Sequence, residues 1–261
     1  MADRLAGKQI VNTRALHQAT ELDDLLRARG AIPVSYPCID IAPPYHTDPL
    51  DDGLNDCVRG KFDWLVITSQ NTAIALARRV EMLRLRPEAL KVRIAAVGPA
   101  TAATVEELLG LDVDLMPDEY VAEALAELLR QSSGNRVFLP QSSLARDVLE
   151  HELRAAGLHV ATANAYRTVA GSGGENVPAL LKAGQIDAVI FTSASTAHNF
   201  VDRIKAEEGQ LSDLEGVCLA SIGPVTSAAV EQNGLTATVV ATTYTLDGIL
   251  DALDHYYSAE D

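Results

Sequence analysis

The strongest constraint on this chain is that it resembles itself. FDWLVITSQNTAIALARRV at 62–80 is similar to IDAVIFTSASTAHNFVDRI at 186–204, an offset of 124 residues. The stretch from Val92 to Leu129 is similar to that from Val217 to Leu253, offset by 125 at a shared Gly-Pro. More weakly, residues 7–34 match 134–160, offset by 127. Three matches in one order imply duplication, and a period this long implies whole domains, since solenoid units are far shorter.

Within each half, short apolar runs alternate with helical patterns. QIVNT, WLVITS, RIAAVG, RVFLP, AVIFTS and CLASIG are rich in Val and Ile and have the length of strands covered on both faces. Leu16, Leu22, Leu25 and Leu26 recur at helical spacing, and Gly30 stands where a helix C-terminus is expected. Leu149, Leu153 and Gly157 repeat that logic. The alternation predicts an α/β fold: two similar, doubly wound parallel-sheet domains.

The turn-forming segments place the domain boundaries. Pro43-Pro44 and the Gly-Ser-Gly-Gly run at 171–174 follow equivalent strand–helix–strand units. The chain is therefore expected to cross between domains twice. One domain takes residues 1–38 and 172–261, the other 44–165, and strands at 39–43 and 166–171 form a two-stranded linker beside a shared cleft.

Each half carries two hydroxyl-bearing turns between a buried strand and a helix. They are Thr68-Ser69 and Gly98-Pro99-Ala100-Thr101, then Thr192-Ser193 and Gly223-Pro224-Val225-Thr226. A helix N-terminus presents unpaired N–H groups and partial positive charge, so such turns suit anions. Any one Ser or Thr there is more often a simple N-cap. Their fourfold recurrence favours an anion-binding surface built from backbone and hydroxyls.

Other chemistries find little support. There is no GxxxxGK[ST], no GxGxxG after a strand and no GxSxG elbow. Cys38, Cys57 and Cys218 form no CxxC pair, and the six histidines form no HExxH, so no metal site is expected. A net charge of −15 argues against nucleic acid or an anionic membrane as partner. With no apolar run of about 20 residues, the expected location is cytoplasmic.

Several motifs together carry a family resemblance: Thr13-Arg14, FDWLVITSQNTA, AAVGPATA, AYRT at 165–168, IDAVIFTSAST with Asn199-Phe200, SIGPVTSAA and YTLDGIL at 244–250. In this order, along nearly the whole chain, they resemble the uroporphyrinogen-III synthases. The resemblance implies a cofactor-free, monomeric lyase that expels water from hydroxymethylbilane, inverts its last pyrrole ring and closes the macrocycle. It implies that Tyr166 assists departure of the hydroxyl. It also implies that Thr68, Ser69, Gly98, Thr101, Thr192, Ser193, Ser195, Gly223 and Thr226 contact substrate. Two positions depart from the family pattern. Thr-Arg-Ala stands where Thr-Arg-Pro is usual, and LPQSSLARD lacks the basic residue often found after its proline, which withholds a substrate contact near 141–143.

The implied substrate is a polyanion, whereas the protein is acidic. Local donors must then do the binding: the turns, with Arg14, Arg146 and Arg167 as candidate cations and Arg14 foremost, because it follows a buried strand. Tyr120 and Tyr244 hold matching repeat positions and are expected to be structural. A hinged binding protein for an acidic small molecule, without catalysis, remains the alternative.

Overall fold

A computed structural model of the chain describes residues 4–119, 122–143 and 148–259. Its elements begin with β1 (Gln9–Asn12), α1 (Leu16–Ala28), β2 (Ile32–Ser35) and β3 (Ile39–Ala42). There follow α2 (Asp48–Val58), β4 (Trp64–Ile67), α3 (Gln70–Met82), β5 (Arg93–Ala96), α4 (Pro99–Leu109) and α5 (Ala122–Gln131). Next come β6 (Arg136–Ser142), α6 (Val148–Ala155), β7 (His159–Ala170) and α7 (Val177–Lys182). The chain closes with β8 (Ala188–Phe191), α8 (Ala194–Ala206), β9 (Cys218–Ser221), α9 (Pro224–Gln232), β10 (Val239–Val240) and α10 (Leu246–Ala259).

The chain divides into two compact units, Met1–Asp40 with Val169–Asp261, and Ile41–Thr168. The first holds a sheet of order β2-β1-β8-β9-β10, parallel at every pairing. The second holds β3-β7-β6-β4-β5, parallel from β7 to β5, and an isolated parallel bridge from Ala95 to Leu115 extends it. Mapped through the repeat, β6, β7, β4 and β5 stand where β1, β2, β8 and β9 stand. Both sheets thus have the flavodoxin-like order, with a topological switch point between β1 and β8 and another between β6 and β4.

The cores explain the continuous apolar runs. All four residues of β4, β8 and β9 are buried, because helices cover both faces of each sheet. Phe191 and Phe200 meet edge to face at 5.3 Å on one face of the first sheet, and Ile10, Ile190 and Leu250 pack on the other. In the second unit Phe138 lies against α2 at Gly53, where a methyl group would overlap the ring. Leu16 departs from the helical pattern read in the sequence. It opens α1 and is 61% exposed, while Ala19, Leu22 and Leu26 form the buried stripe. Gly30 has φ 75° just past the helix, as its C-terminal role requires.

The second linker strand is not a separate element. β7 runs unbroken for 12 residues, because no glycine or proline interrupts its run until Gly171. It therefore serves both as the outer parallel partner of β6 and as the neighbour of β3.

One polar device is duplicated at the strand starts. Asp63, just before β4, accepts from the amides of Asn135 and Arg136 and from the Arg136 guanidinium at 2.7 Å. Asp187, just before β8, accepts from the Gln9 amide at 2.8 Å and from Lys8 at 3.0 Å. Each carboxylate ties a central strand to its neighbour across a switch point. The Arg136 hydrogen bond lowers the Asp63 pKa to about 2 from an ordinary 3.8. Because the folded-state value is depressed, this contribution is full above the unfolded pKa and disappears as pH falls towards 2. In urea titrations Asp63→Asn should therefore be less stable than the parent at pH 7, and the gap should close between about pH 4 and pH 2.

Candidate functional site

The strand ends on the opposite edge of each sheet hold the residues singled out in the sequence. At the end of β1, the Thr13 hydroxyl donates to the Ile190 carbonyl at 2.6 Å, closing the switch point of the first unit. Asn12 shapes the turn, accepting from the Arg14 amide at 3.0 Å and donating to Asp23 at 2.8 Å. Arg14 is already engaged: its guanidinium lies 3.1 Å from Glu21. An anion would have to compete with that carboxylate. Ala15, where the family usually has proline, holds φ −57°, the angle a proline ring imposes. The local backbone therefore survives that departure.

The serine turns cap their own helices. Ser69 accepts from the Thr72 amide at 3.1 Å at the start of α3. Ser193 accepts from the Thr196 amide, and Thr196 accepts from the Ser193 amide, both at 3.2 Å, a reciprocal box that opens α8. Ser195 lies 3.0 Å from the Ser193 hydroxyl and is drawn into the same cap. Thr68 and Thr192 are half-buried at the ends of β4 and β8.

The Gly-Pro turns differ. Gly98 and Gly223 are the N-caps of α4 and α9 in extended conformation, with φ −161° and 178°, and a proline begins each helix. Those angles do not demand glycine. At Gly223 an added Cβ would lie 3.1 Å from the neighbouring Tyr244 ring, a tight contact that the ring would have to yield to. Tyr244 is itself mostly exposed, so it shields this helix start and fills no core. Thr101 and Thr226 follow in the first turns, only 7% and 4% exposed. Their hydroxyls form no side-chain hydrogen bond with another described residue. Ser221, two residues before Gly223, also buries a hydroxyl that has no partner among the described residues. The sequence reading passed over it, although a serine closing the apolar run CLAS was the available signal.

Tyr166 lies within β7, not at a strand end. Its carbonyl accepts from the Ser143 amide at 3.0 Å, beside a register shift between Gln141 and Ser142. Its ring is 8% exposed and lines a cavity of about 230 Å³ with Ile41, Pro43, Leu50, Arg78 and Met82. The rest of the lining is mostly apolar but includes the Thr47 hydroxyl and a second arginine, Arg79. Arg167 stacks 4.3 Å from the Tyr45 ring and donates to the Pro43 carbonyl at 3.1 Å, which fastens the segment after β3. Arg146 and Tyr120 lie outside the described residues. Among those residues no cluster of His, Cys, Asp or Glu could hold a metal ion, and no helix is long and apolar enough to cross a membrane. The three cysteines are buried free thiols, and burial pushes Cys57 up to about 12.

Such a molecule is a duplicated, doubly wound α/β protein that offers helix starts and threonine hydroxyls at its strand ends, where related folds carry a phosphate loop. Residues 20–251 match the family model described as uroporphyrinogen-III synthase HemD. A uroporphyrinogen-III synthase of Synechococcus elongatus is 31% identical over 97% of this chain and 96% of its own. The fold is also that of two crystal structures. Uroporphyrinogen III synthase of Thermus thermophilus matches with TM-score 0.59 at 20% identity, over 98% of this chain and all of that one. Uroporphyrinogen-III synthetase of Helicobacter pylori matches with TM-score 0.59 at 14% identity, over 96% and 99%. The chain belongs to the uroporphyrinogen-III synthase family. This favours an enzyme of the lyase class over a binder without catalysis.

The two kinds of hydroxyl should separate experimentally. Ser193→Ala removes a cap and should cost about 1 kcal/mol of stability in thermal or urea unfolding. Thr226→Val loses no described protein hydrogen bond, so it should shift unfolding little while raising KM.

Proposed function

We propose that the chain converts hydroxymethylbilane to uroporphyrinogen III and water, and that its strand-end turns bind the substrate. The observation that supports this most is the pairing of a family match over nearly the whole chain with buried threonines at equivalent turns of both sheets, whose hydroxyls have no side-chain hydrogen bond among the described residues. The Ala100 and Val225 amides, second in their helices, have no intrahelical acceptor. Carboxylates of the substrate would take these donors, so binding needs no net positive charge. Thr68, Ser69, Thr192, Ser193 and Ser195 would add contacts through lone pairs and protons their caps leave over.

The chemistry asks more for placement than for acid strength. An electron-rich pyrrole expels its own hydroxyl and leaves an azafulvene electrophile. The enzyme must then present the correct carbon of the terminal ring, which is a matter of orientation. Tyr166 would donate a proton or hydrogen bond to the departing oxygen from its apolar pocket. The acidic protein would work as a cytoplasmic monomer without a cofactor.

Incubation with freshly generated hydroxymethylbilane tests the reading. The type III isomer should accumulate in place of the spontaneous type I product; type I alone would refute it. Tyr166→Phe should lower kcat by no more than roughly 10²-fold, the low end of acid–base contributions. Because the donors are mostly neutral, KM should rise only slightly between low and physiological salt, and a steep rise would count against the turns as the binding surface.

A further inference from the structure

The repeat that duplicates the turns also duplicates an arginine. Arg79 in the last turn of α3 and Arg203 in the last turn of α8 occupy matching positions, 124 residues apart. Both side chains are largely buried, 17% and 11% exposed. Arg203 reaches the segments beside the two crossings, and Arg79 reaches the start of α2, the first helix after the chain enters the second unit.

In the first unit, Arg203 donates through Nη1 to the Pro37 carbonyl at 2.7 Å and through Nη2 to the Gly173 carbonyl at 2.6 Å. Nε donates to Glu207 at 2.7 Å. Pro37 lies just before the chain leaves this unit, and Gly173 just after it returns. Tyr36 completes the clasp: its hydroxyl donates to Glu207 at 2.9 Å, and its ring lies 3.8 Å from the guanidinium carbon. Burial, then Glu207, hold the Tyr36 phenol well above its ordinary pKa, so it stays a donor. The two segments also touch backbone to backbone, through the Gly171 amide on the Cys38 carbonyl and the Glu175 amide on the Ser35 carbonyl. A methyl group at Gly171 or Gly174 would strike the Pro37 or Ser35 carbonyl. In the second unit, Arg79 makes a bidentate pair with Asp51 and donates to the Thr47 hydroxyl at 3.1 Å. Thr47 and Asp51 open α2, the first helix after the chain enters that unit.

We infer that Arg203 and Arg79 are positioning residues for ring closure: within its own unit, Arg203 fixes the segments through which the chain crosses, and Arg79 fixes the start of the helix that follows the first crossing. This rests on the function proposed above. The leverage is large: β7, at roughly 3.3 Å per residue, is about 40 Å long, so a tilt of about 3° at its foot displaces its far end by roughly 2 Å. A misplacement of about 1 Å can cost 10²-fold in rate. Lysine cannot replace the planar fork that serves two carbonyls and a carboxylate at once.

Arg203→Met, Arg203→Lys and Arg79→Met test the inference, assayed with fresh hydroxymethylbilane and by hydrogen exchange on the full chain. Arg203→Met should lower kcat on the order of 10-fold, with KM changed less, and should raise the type I share of the product. Amides at 35–38 and 171–175 should exchange faster while the rest of the first unit keeps its protection, and Arg203→Lys should restore part of both. Arg79→Met should act alike, with faster exchange confined to 43–51. Faster exchange there with parental kcat and isomer ratio would overturn the inference, as would loss of activity that tracks general unfolding with lysine no better than methionine. A parent chain that yields only type I would overturn the functional reading and, with it, the catalytic role of both arginines.

Discussion

Burial of the central strands on both faces is the constraint from which the rest follows. β4 and β8 expose no side chain, so neither can carry polar chemistry along its length. Polar groups are driven to the two ends of each strand, and the ends have divided the work. At the starting ends, Asp63 and Asp187 fasten each central strand to its neighbour. At the finishing ends, helices begin and present donors. A single pattern, an acidic residue, four apolar residues and then hydroxyls, encodes both tasks in each half.

Residues that look alike in sequence differ in whether they cap a helix. Ser69 and Ser193 are engaged with the amides of their own helices, because an extended N-cap places a short hydroxyl within reach of the third amide. Thr101 and Thr226 sit within the first turn instead of before it, where a side chain cannot fold back on the orphan amides. Both threonines are buried at these helix starts. At Gly223 the absence of a side chain leaves room for the Tyr244 ring.

Arginine placement follows a related logic. Arg14, Arg167 and Arg203 each stand near a strand end or crossing segment, yet each is engaged by a carboxylate or a carbonyl. In a chain with 36 acidic and 21 basic residues, a guanidinium near the surface finds a carboxylate readily. Neutral donors at helix starts escape that competition, and under the proposed function they would let so acidic a protein take a polyanion.

The sequence by itself determined the duplication, the α/β class, the strand cores and the four turns, because these rest on local periodicity and on residues a few positions apart. The C-terminal role of Gly30 and the prolines opening α4 and α9 were legible for the same reason. Tertiary structure decided what local pattern cannot carry. It showed which hydroxyls cap and which stand apart, that β7 continues unbroken through residues 166–170, and that Tyr166 is packed beside a cavity within a strand. It also paired Asp63 with Arg136 and Arg203 with Pro37 and Gly173, contacts that span dozens to more than a hundred residues. Those partners are brought together only by the order of strands in the sheet, which one-dimensional spacing does not contain.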